Sequence, residues 1–125
     1  MKTSSSRLAL LVAIIVPVLA SYPTVGSAAT INVSVGPNGN LVFMPSSVTI
    51  HQGDQVKWTW GSDGHSTTSG SPGMPNGIWD SGVINSGSTF THTFNSAGTF
   101  PYYCNLQIED GCRQMRGELV VRPRK

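Results

Sequence analysis

Charged residues are scarce in this chain. They make up 11% of its 125 residues, less than half of the roughly 25% typical of soluble domains. Helices stabilised by surface salt bridges need more charges than this, and no segment of ten or more residues repeats apolar side chains at helical spacing. The length is that of one small domain. These features argue against a coiled coil, a helical bundle and a two-domain enzyme.

Residue patterns typical of catalysis are also missing. No serine or cysteine lies in a recognisable arrangement with a base, and the paired carboxylates are limited to the adjacent Glu109 and Asp110. Positive charge is equally limited: without Lys2 and Arg7 of the N-terminal segment, six of the eight cations remain against six acidic residues. We therefore expect neither an enzyme nor a nucleic-acid-binding protein, which needs a broad basic face.

The N-terminal segment is typical of a secretory signal peptide. Basic residues precede an apolar run over residues 8–20, and small residues follow at positions 26–29. The apolar run has thirteen residues and is interrupted by Pro17, whereas a helix needs about 20 residues to span a bilayer. The pattern predicts cleavage after Ala29.

Cleavage there divides the chain into a signal peptide over residues 1–29 and one mature domain over residues 30–125. No cysteine stands at the cleavage point, so the pattern does not predict a lipid anchor at the new N-terminus. We expect the mature chain to be periplasmic or secreted, with no membrane insertion once the signal peptide is removed.

Apolar side chains in the mature chain recur with a period of two, which is typical of β-strands. Ile31, Val33 and Val35 alternate with polar residues, and turn sequences rich in glycine, asparagine and serine separate one such run from the next. Strands are predicted at residues 31–35, 48–51, 56–60, 90–94, 99–104 and 118–121. Six to eight short strands in roughly 90 residues predict an all-β protein with a single β-sandwich.

Several residues are assigned by their position in this pattern. We predict that the three tryptophans, Trp58, Trp60 and Trp79, form the core. His92 lies on the same face of its strand as two phenylalanines and is predicted to pack in the sandwich, whereas His51 is predicted to be solvated. The segment 61–77 is predicted to be a long irregular loop, and loops of that length are commonly functional.

Three potential metal donors are predicted to meet at one end of the sandwich. Cys104 ends a predicted strand, Met115 follows eleven residues later, and His65 lies in the long loop. One imidazole, one thiolate and one thioether are the soft donors that a copper site uses.

The chain resembles the plastocyanin-type cupredoxins, which are small blue copper proteins. The resemblance covers most of the mature chain and rests on segments that occur in the family's order and spacing: Phe43-Met44-Pro45, residues 48–50, residues 53–58, His65-Ser66, residues 79–82, residues 97–104 and residues 115–121. It implies a Greek-key sandwich that binds one copper ion, cycling between Cu(I) and Cu(II), and carries single electrons between exported redox proteins. We expect a monomer, with residues 71–75 as a candidate docking surface.

The family pattern places the copper ligands at His65, Cys104, residue 107 and Met115. Residue 107 is glutamine where the family has a histidine. A glutamine amide offers a neutral carbonyl oxygen, which is known mainly as a weak axial ligand, so copper affinity is expected to fall. The segment between this position and Met115 is also longer than usual and contains a second cysteine, Cys112.

The second cysteine leaves two alternatives open. Two cysteines in an exported chain can form a disulfide, and a cysteine in a disulfide is no longer a thiolate ligand. In the first alternative, Cys104 and Cys112 are joined, and a sandwich that has lost its copper serves a structural or interaction role. In the second, His65, Cys104, Cys112 and Met115 form a mixed soft site for Cu(I) storage or delivery.

Overall fold

The computed structural model describes residues 27–106 and 111–125. These residues form nine strands and two short 3-10 turns. The strands are β1 (Thr30–Val35), β2 (Phe43–Met44), β3 (Ser47–His51), β4 (Gln55–Trp60), β5 (Thr68–Ser71), β6 (Met74–Asp80), β7 (Thr89–Thr93), β8 (Gly98–Tyr103) and β9 (Arg116–Arg122), and the turns are Pro37–Gly39 and Cys112–Gln114. Most of the predicted signal peptide lies outside the described residues, so its boundary stays a prediction.

The strands form two sheets that pack face to face. One sheet has the order β2-β1-β4-β7 and the other has the order β3-β9-β8-β5-β6. The pairs β1–β4 and β3–β9 are parallel, and the other pairs are antiparallel. Strands that neighbour each other in a sheet are therefore often distant in sequence, as in a Greek key. The predicted all-β Greek-key sandwich is confirmed.

The core between the sheets is built on aromatic rings. Strand β4 turns Val56, Trp58 and Trp60 inward on alternate residues, as the period of two predicts. The Trp58 ring lies 5.6 Å from the rings of both Trp79 and Tyr102, measured between centroids. All three tryptophans are buried, so their predicted place in the core is confirmed.

The prediction of an irregular loop over residues 61–77 is wrong, because β5 and the first half of β6 lie within it. Strand β5 has the sequence Thr-Ser-Gly-Ser and shows no apolar alternation, yet Thr68 and Ser69 are buried. Their hydroxyls are satisfied by hydrogen bonds: Ser69 Oγ accepts from Trp79 N at 2.9 Å, and Thr68 Oγ1 donates to Asp80 at 3.0 Å. A buried strand whose polar groups are paired in this way gives no hydrophobic signal.

The structure places the two remaining histidines as predicted. His92 on β7 is half-buried and packs on the rings of Trp79 and Phe94, at centroid distances of 5.4 and 4.8 Å. His51 ends β3 and is exposed. In the part of the chain that the structure describes, no helix is long and apolar enough to cross a membrane.

Candidate metal centre

Three side chains with metal-binding atoms converge at one end of the sandwich. His65 lies between β4 and β5, Cys104 directly follows β8, and Cys112 begins the second 3-10 turn. His65 Nδ1 is 3.9 Å from the Sγ atoms of both cysteines. The donor atoms of the three residues all lie within 4.8 Å of one another, and all three residues are buried.

The two cysteines are joined in the structure as a disulfide, with 5.3 Å between their Cα atoms. This separation is typical of disulfides. Their side chains are almost completely buried, at 0% exposure for Cys104 and 2% for Cys112. The pairing that the sequence left open is therefore sterically compatible with the fold, and it occurs at the same position as the cluster of donor atoms.

The backbone of His65 is fixed by hydrogen bonds from two directions. It pairs with Ile84, accepting from Ile84 N at 3.0 Å and donating to Ile84 O at 3.4 Å. The indole of Trp60 donates to His65 O at 2.8 Å. Because Trp60 is itself packed in the core, its hydrogen bond ties the backbone of His65 to the sandwich.

The ring of His65 is oriented by Ser62. Ser62 Oγ donates to Gly36 O at 2.7 Å and lies 3.0 Å from His65 Nε2. Since the hydroxyl proton is used by Gly36, the oxygen accepts from Nε2–H, and the lone pair of Nδ1 then faces the two sulfurs. This is the neutral tautomer that can bind a metal through Nδ1.

Burial favours the same form of His65. It lowers the pKa of the imidazole below its ordinary value of 6.5, although the nearby Asp63 carboxylate opposes this shift. A neutral imidazole is the form that binds transition metals. Hydrogen bonding and burial therefore both favour the form of His65 that can bind a metal through Nδ1.

Cys104 is held by the segments on either side of it. Its Sγ atom accepts a hydrogen bond from Ser66 N at 3.5 Å, and its backbone N donates to Met115 O at 3.1 Å. Ser66 Oγ also accepts from Asn105 N at 2.7 Å. An N–H group directed at the sulfur stabilises a thiolate, because it places a partial positive charge beside it.

The remaining predicted ligands have different outcomes. Met115 is 1% exposed and belongs to the core cluster that also contains Cys104 and Cys112. Its backbone N donates to Cys112 O at 2.9 Å, which closes the second 3-10 turn. Gln107 lies outside the described residues, so its role as a ligand stays a prediction.

Ser62 and Gly36 were not predicted to be site residues from the sequence, and Ser66 was noted only as part of the segment His65-Ser66. Serine and glycine are abundant in this chain, and no local pattern distinguishes these three from the rest. Ser62 precedes His65 by three residues, but its hydrogen bond to Gly36 joins segments 26 residues apart. A contact of that kind can be identified only after the fold has brought the two segments together.

Replacing Ser62 by alanine is expected to lower the affinity of the reduced protein for Cu(I) by about 10- to 100-fold, the usual effect of losing the partner of a ligand histidine. The imidazole would no longer be held with Nδ1 facing the sulfurs. Competition with a chromogenic Cu(I) chelator measures the affinity. Ser62→Thr keeps the hydroxyl and should restore most of it, and Ser96→Ala, on an exposed turn, is the matched control. Equal affinities for Ser62→Ala and Ser96→Ala would contradict the assignment.

Comparisons with known proteins agree with this geometry. Residues 29–122 match the family of copper-binding proteins named for plastocyanin and azurin. The chain is 32% identical over 111 residues to the chloroplastic plastocyanin of Tetradesmus obliquus, a match that covers 82% of this chain and 74% of the relative.

Solved structures share the fold. A purple cupredoxin from Nitrosopumilus maritimus superposes with a TM-score of 0.62 at 26% identity, covering 73% of this chain and 98% of the other. A mutant fern plastocyanin gives a TM-score of 0.57 at 27% identity, covering 73% and 99%. A reduced amicyanin variant, at 18% identity, supports the fold alone, with a TM-score of 0.59 and coverage of 78% and 86%. The chain therefore belongs to the plastocyanin/azurin family of copper-binding proteins and has the cupredoxin fold.

Proposed function

We propose that this protein is an exported copper-binding protein that carries single electrons. The observation that carries the proposal is the convergence of His65 Nδ1 with the sulfurs of Cys104 and Cys112 within 4.8 Å, at a buried position. The family match supports the same metal. When the cysteines are reduced, one imidazole and thiolate sulfur are donors that suit copper, so the residues fit the metal in that state.

His65, Cys104 and Met115 would hold the copper, with Gln107 as the fourth ligand predicted from the sequence. Bound copper supplies one-electron oxidation and reduction between Cu(I) and Cu(II). The protein contributes a rigid set of donors, because His65 is tied to Ile84 and Trp60 while Cys104 is tied to Ser66 and Met115. Donors that do not move when the charge of the metal changes keep the rearrangement small.

The partners we propose are exported redox proteins, met by a monomer in the periplasm or outside the cell. The candidate docking surface at residues 71–75 spans the end of β5, the turn at residues 72–73 and the start of β6, and it includes Met74, which is 73% exposed. An exposed apolar side chain of this size is compatible with a transient contact, but a single one is also common on ordinary surfaces.

The test is a visible absorption spectrum of the reduced, metal-free protein titrated anaerobically with Cu(II). We expect an intense thiolate-to-copper charge-transfer band that reaches its maximum at one equivalent and is absent in Cys104→Ser and His65→Ala. His92→Ala, which changes a histidine packed on Trp79, is the matched control and should keep the band. A colourless titration of the wild-type protein with both thiols still reduced would refute the proposal.

A second candidate function is favoured by the disulfide itself. If Cys104 and Cys112 remain joined under physiological conditions, the protein is a copper-free sandwich with a structural or interaction role. Counting thiols in the unfolded protein, isolated without reductant and treated with a copper chelator, separates the two candidates. Two free thiols favour the copper carrier, whereas none favours the copper-free sandwich.

Reducing the disulfide of the metal-free protein is expected to lower its free energy of unfolding by about 2.5 kcal/mol, because the bridge closes a short loop that restricts the unfolded chain. Urea unfolding with and without a reductant measures the difference. The double variant Cys104→Ser, Cys112→Ser should show no response to the reductant. Equal unfolding midpoints for the wild-type protein under both conditions would contradict a stabilising bridge.

A further inference from the structure

We propose that Cys112, in place of the Gln107 predicted from the sequence, is the fourth ligand of the reduced metal site and that it closes the site as a disulfide with Cys104 when two electrons are removed. The proposal rests on the copper-binding function proposed above and adds a thiol–disulfide switch to it. In the open state, His65, Cys104 and Cys112 would hold the metal together with Met115, the thioether ligand predicted from the sequence. In the closed state, the two sulfurs bind each other and the site cannot hold copper.

The two sulfurs are placed equivalently with respect to His65. His65 Nδ1 lies 3.9 Å from each of them, so the geometry does not distinguish Cys104 from Cys112 as a partner of the imidazole. Both cysteines are more than nine-tenths buried. A second buried sulfur directed at the same nitrogen is in the right place to share a metal ion with it.

A tight backbone turn presents Cys112 to the site. Gly111 precedes it with a φ of 77°, a left-handed conformation that favours glycine. The turn is then closed by hydrogen bonds from Gln114 N to Gly111 O and from Met115 N to Cys112 O, both at 2.9 Å. Backbone hydrogen bonds, which do not include the bond to Cys104, therefore hold the turn in which Cys112 lies three residues before Met115.

The donor set of the open site suits a soft metal ion. Two thiolates, one imidazole and one thioether form a soft set that favours Cu(I). In the disulfide neither sulfur is a thiolate, so the two strongest donors are lost together. Copper binding and disulfide formation are therefore mutually exclusive, and bound Cu(I) opposes closure of the disulfide.

Formation of the disulfide requires a defined number of electrons to be removed from the two cysteines. Joining two thiolates removes two electrons, whereas one Cu(II) ion accepts only one and becomes Cu(I). Closure at this site therefore needs a second one-electron oxidant, for which we use a second Cu(II) ion. Two Cu(II) ions and two thiolates then give one disulfide and two Cu(I) ions. A dithiol reductant supplies the two electrons and two protons that open the site again.

The experiment is an anaerobic Cu(II) titration of the full-length exported protein, followed by absorption, thiol counting and capture of Cu(I) by a chromogenic chelator. With the wild-type protein we expect the charge-transfer band to rise up to one equivalent and to vanish at two. At that point the thiol count should fall from two to zero, and the chelator should capture two Cu(I) ions per chain. A wild-type band that persists at two equivalents, with both thiols countable, would overturn the switch.

Variants test the ligand role separately. Cys112→Ser and Cys112→Ala should keep their band in excess Cu(II) and bind Cu(I) at least about tenfold more weakly than the wild type. Ser96→Ala, at an exposed position outside the site, is the control and should behave like the wild type in both measurements. Cu(I) affinity equal to the wild type in Cys112→Ser would overturn the ligand role of Cys112.

A further measurement needs no variant and covers the case in which Cys112→Ser fails to fold. Bound Cu(I) should slow the alkylation of both cysteines in the reduced wild-type protein, as counted by mass spectrometry. Protection of one cysteine alone would overturn the proposal while leaving the copper carrier intact. If the reduced wild-type protein retains no copper and shows no band at one equivalent, the proposed function itself fails.

Discussion

Gly36→Ala is expected to lower the free energy of unfolding by about 3 kcal/mol and to weaken metal binding at the same time. Gly36 has a φ of 61°, a left-handed conformation that costs an alanine about 1–2 kcal/mol. An added Cβ atom would also lie 2.8 Å from His65 Nε2 and would overlap Ser62 Oγ. Relieving that overlap in a packed region costs about 1–3 kcal/mol more.

The chain provides a matched control for this prediction in the same turn. Gly39 has a φ of 77°, and a Cβ atom added there would meet no atom within 4 Å. Gly39→Ala should therefore show only the backbone cost of about 1–2 kcal/mol and bind Cu(I) like the wild type. Urea unfolding and chelator competition measure the two effects. If both alanine variants lose the same stability and neither loses affinity, Gly36 has no special role beside His65.

The position of Gly36 also explains how the site depends on the sheet that contains β1 and β4. Gly36 follows β1, and its carbonyl oxygen anchors Ser62, which follows β4. Strands β1 and β4 pair in parallel, with Val35 opposite Trp60, so the ends of both strands reach the site together. The orientation of the His65 ring is therefore a consequence of strand register.

Strand prediction succeeded where one face of a strand is apolar and failed where it is not. Strand β4 alternates valine and tryptophan with polar residues, and its predicted range, residues 56–60, differs from the observed one by a single residue. Strand β5 contains only threonine, serine and glycine. Its buried hydroxyls depend on partners such as Trp79 N and Asp80, which lie ten to twelve residues away. Hydrophobic periodicity contains no information about these bonds.

Prediction of the metal site from the sequence was limited in a similar way. The order of strands and loops was sufficient to predict that His65 and Cys104 lie at one end of the sandwich, and the structure brings them together. The tautomer of His65 could not be predicted, because it depends on which hydroxyl reaches Nε2 in the folded chain. The choice between a free and a bonded Cys104 was also left open, since sequence spacing alone does not define the geometry that a disulfide needs.

Asp54→Ala is expected to lower the free energy of unfolding by about 3–4 kcal/mol, the largest loss that we predict for a residue outside the metal site. The Asp54 carboxylate is nearly inaccessible to solvent and accepts hydrogen bonds from Ala29 N and His51 N, both at 2.9 Å. It also pairs with Arg124 Nη2 at 2.6 Å. Its removal leaves two backbone N–H groups and one guanidinium without this acceptor. The segments that contain Ala29, His51 and Arg124 then lose the carboxylate that they all contact.

The same contacts make this contribution depend on pH. The hydrogen bonds from Ala29 and His51 and the charge of Arg124 lower the pKa of Asp54 below its ordinary value of 3.8, against the effect of burial. A carboxylate with a lowered pKa stabilises the fold fully above the pKa of the unfolded chain. That stabilisation is lost as the pH falls below 3.8 toward the lower folded value.

Urea unfolding at several pH values tests both parts of the prediction. The chains used should retain Ala29, because the predicted cleavage after this residue would remove one of the three donors to Asp54. The stability difference between the wild type and Asp54→Ala should be largest near neutral pH and should shrink as the pH falls below 3.8. Asp63→Ala is the matched control, because Asp63 is exposed and accepts a hydrogen bond from Ser86 N at 2.8 Å. Asp63→Ala should lower the free energy of unfolding by at most about 1 kcal/mol. Equal losses for Asp54→Ala and Asp63→Ala would show that burial and the three contacts of Asp54 contribute little, and a difference independent of pH would contradict the lowered pKa.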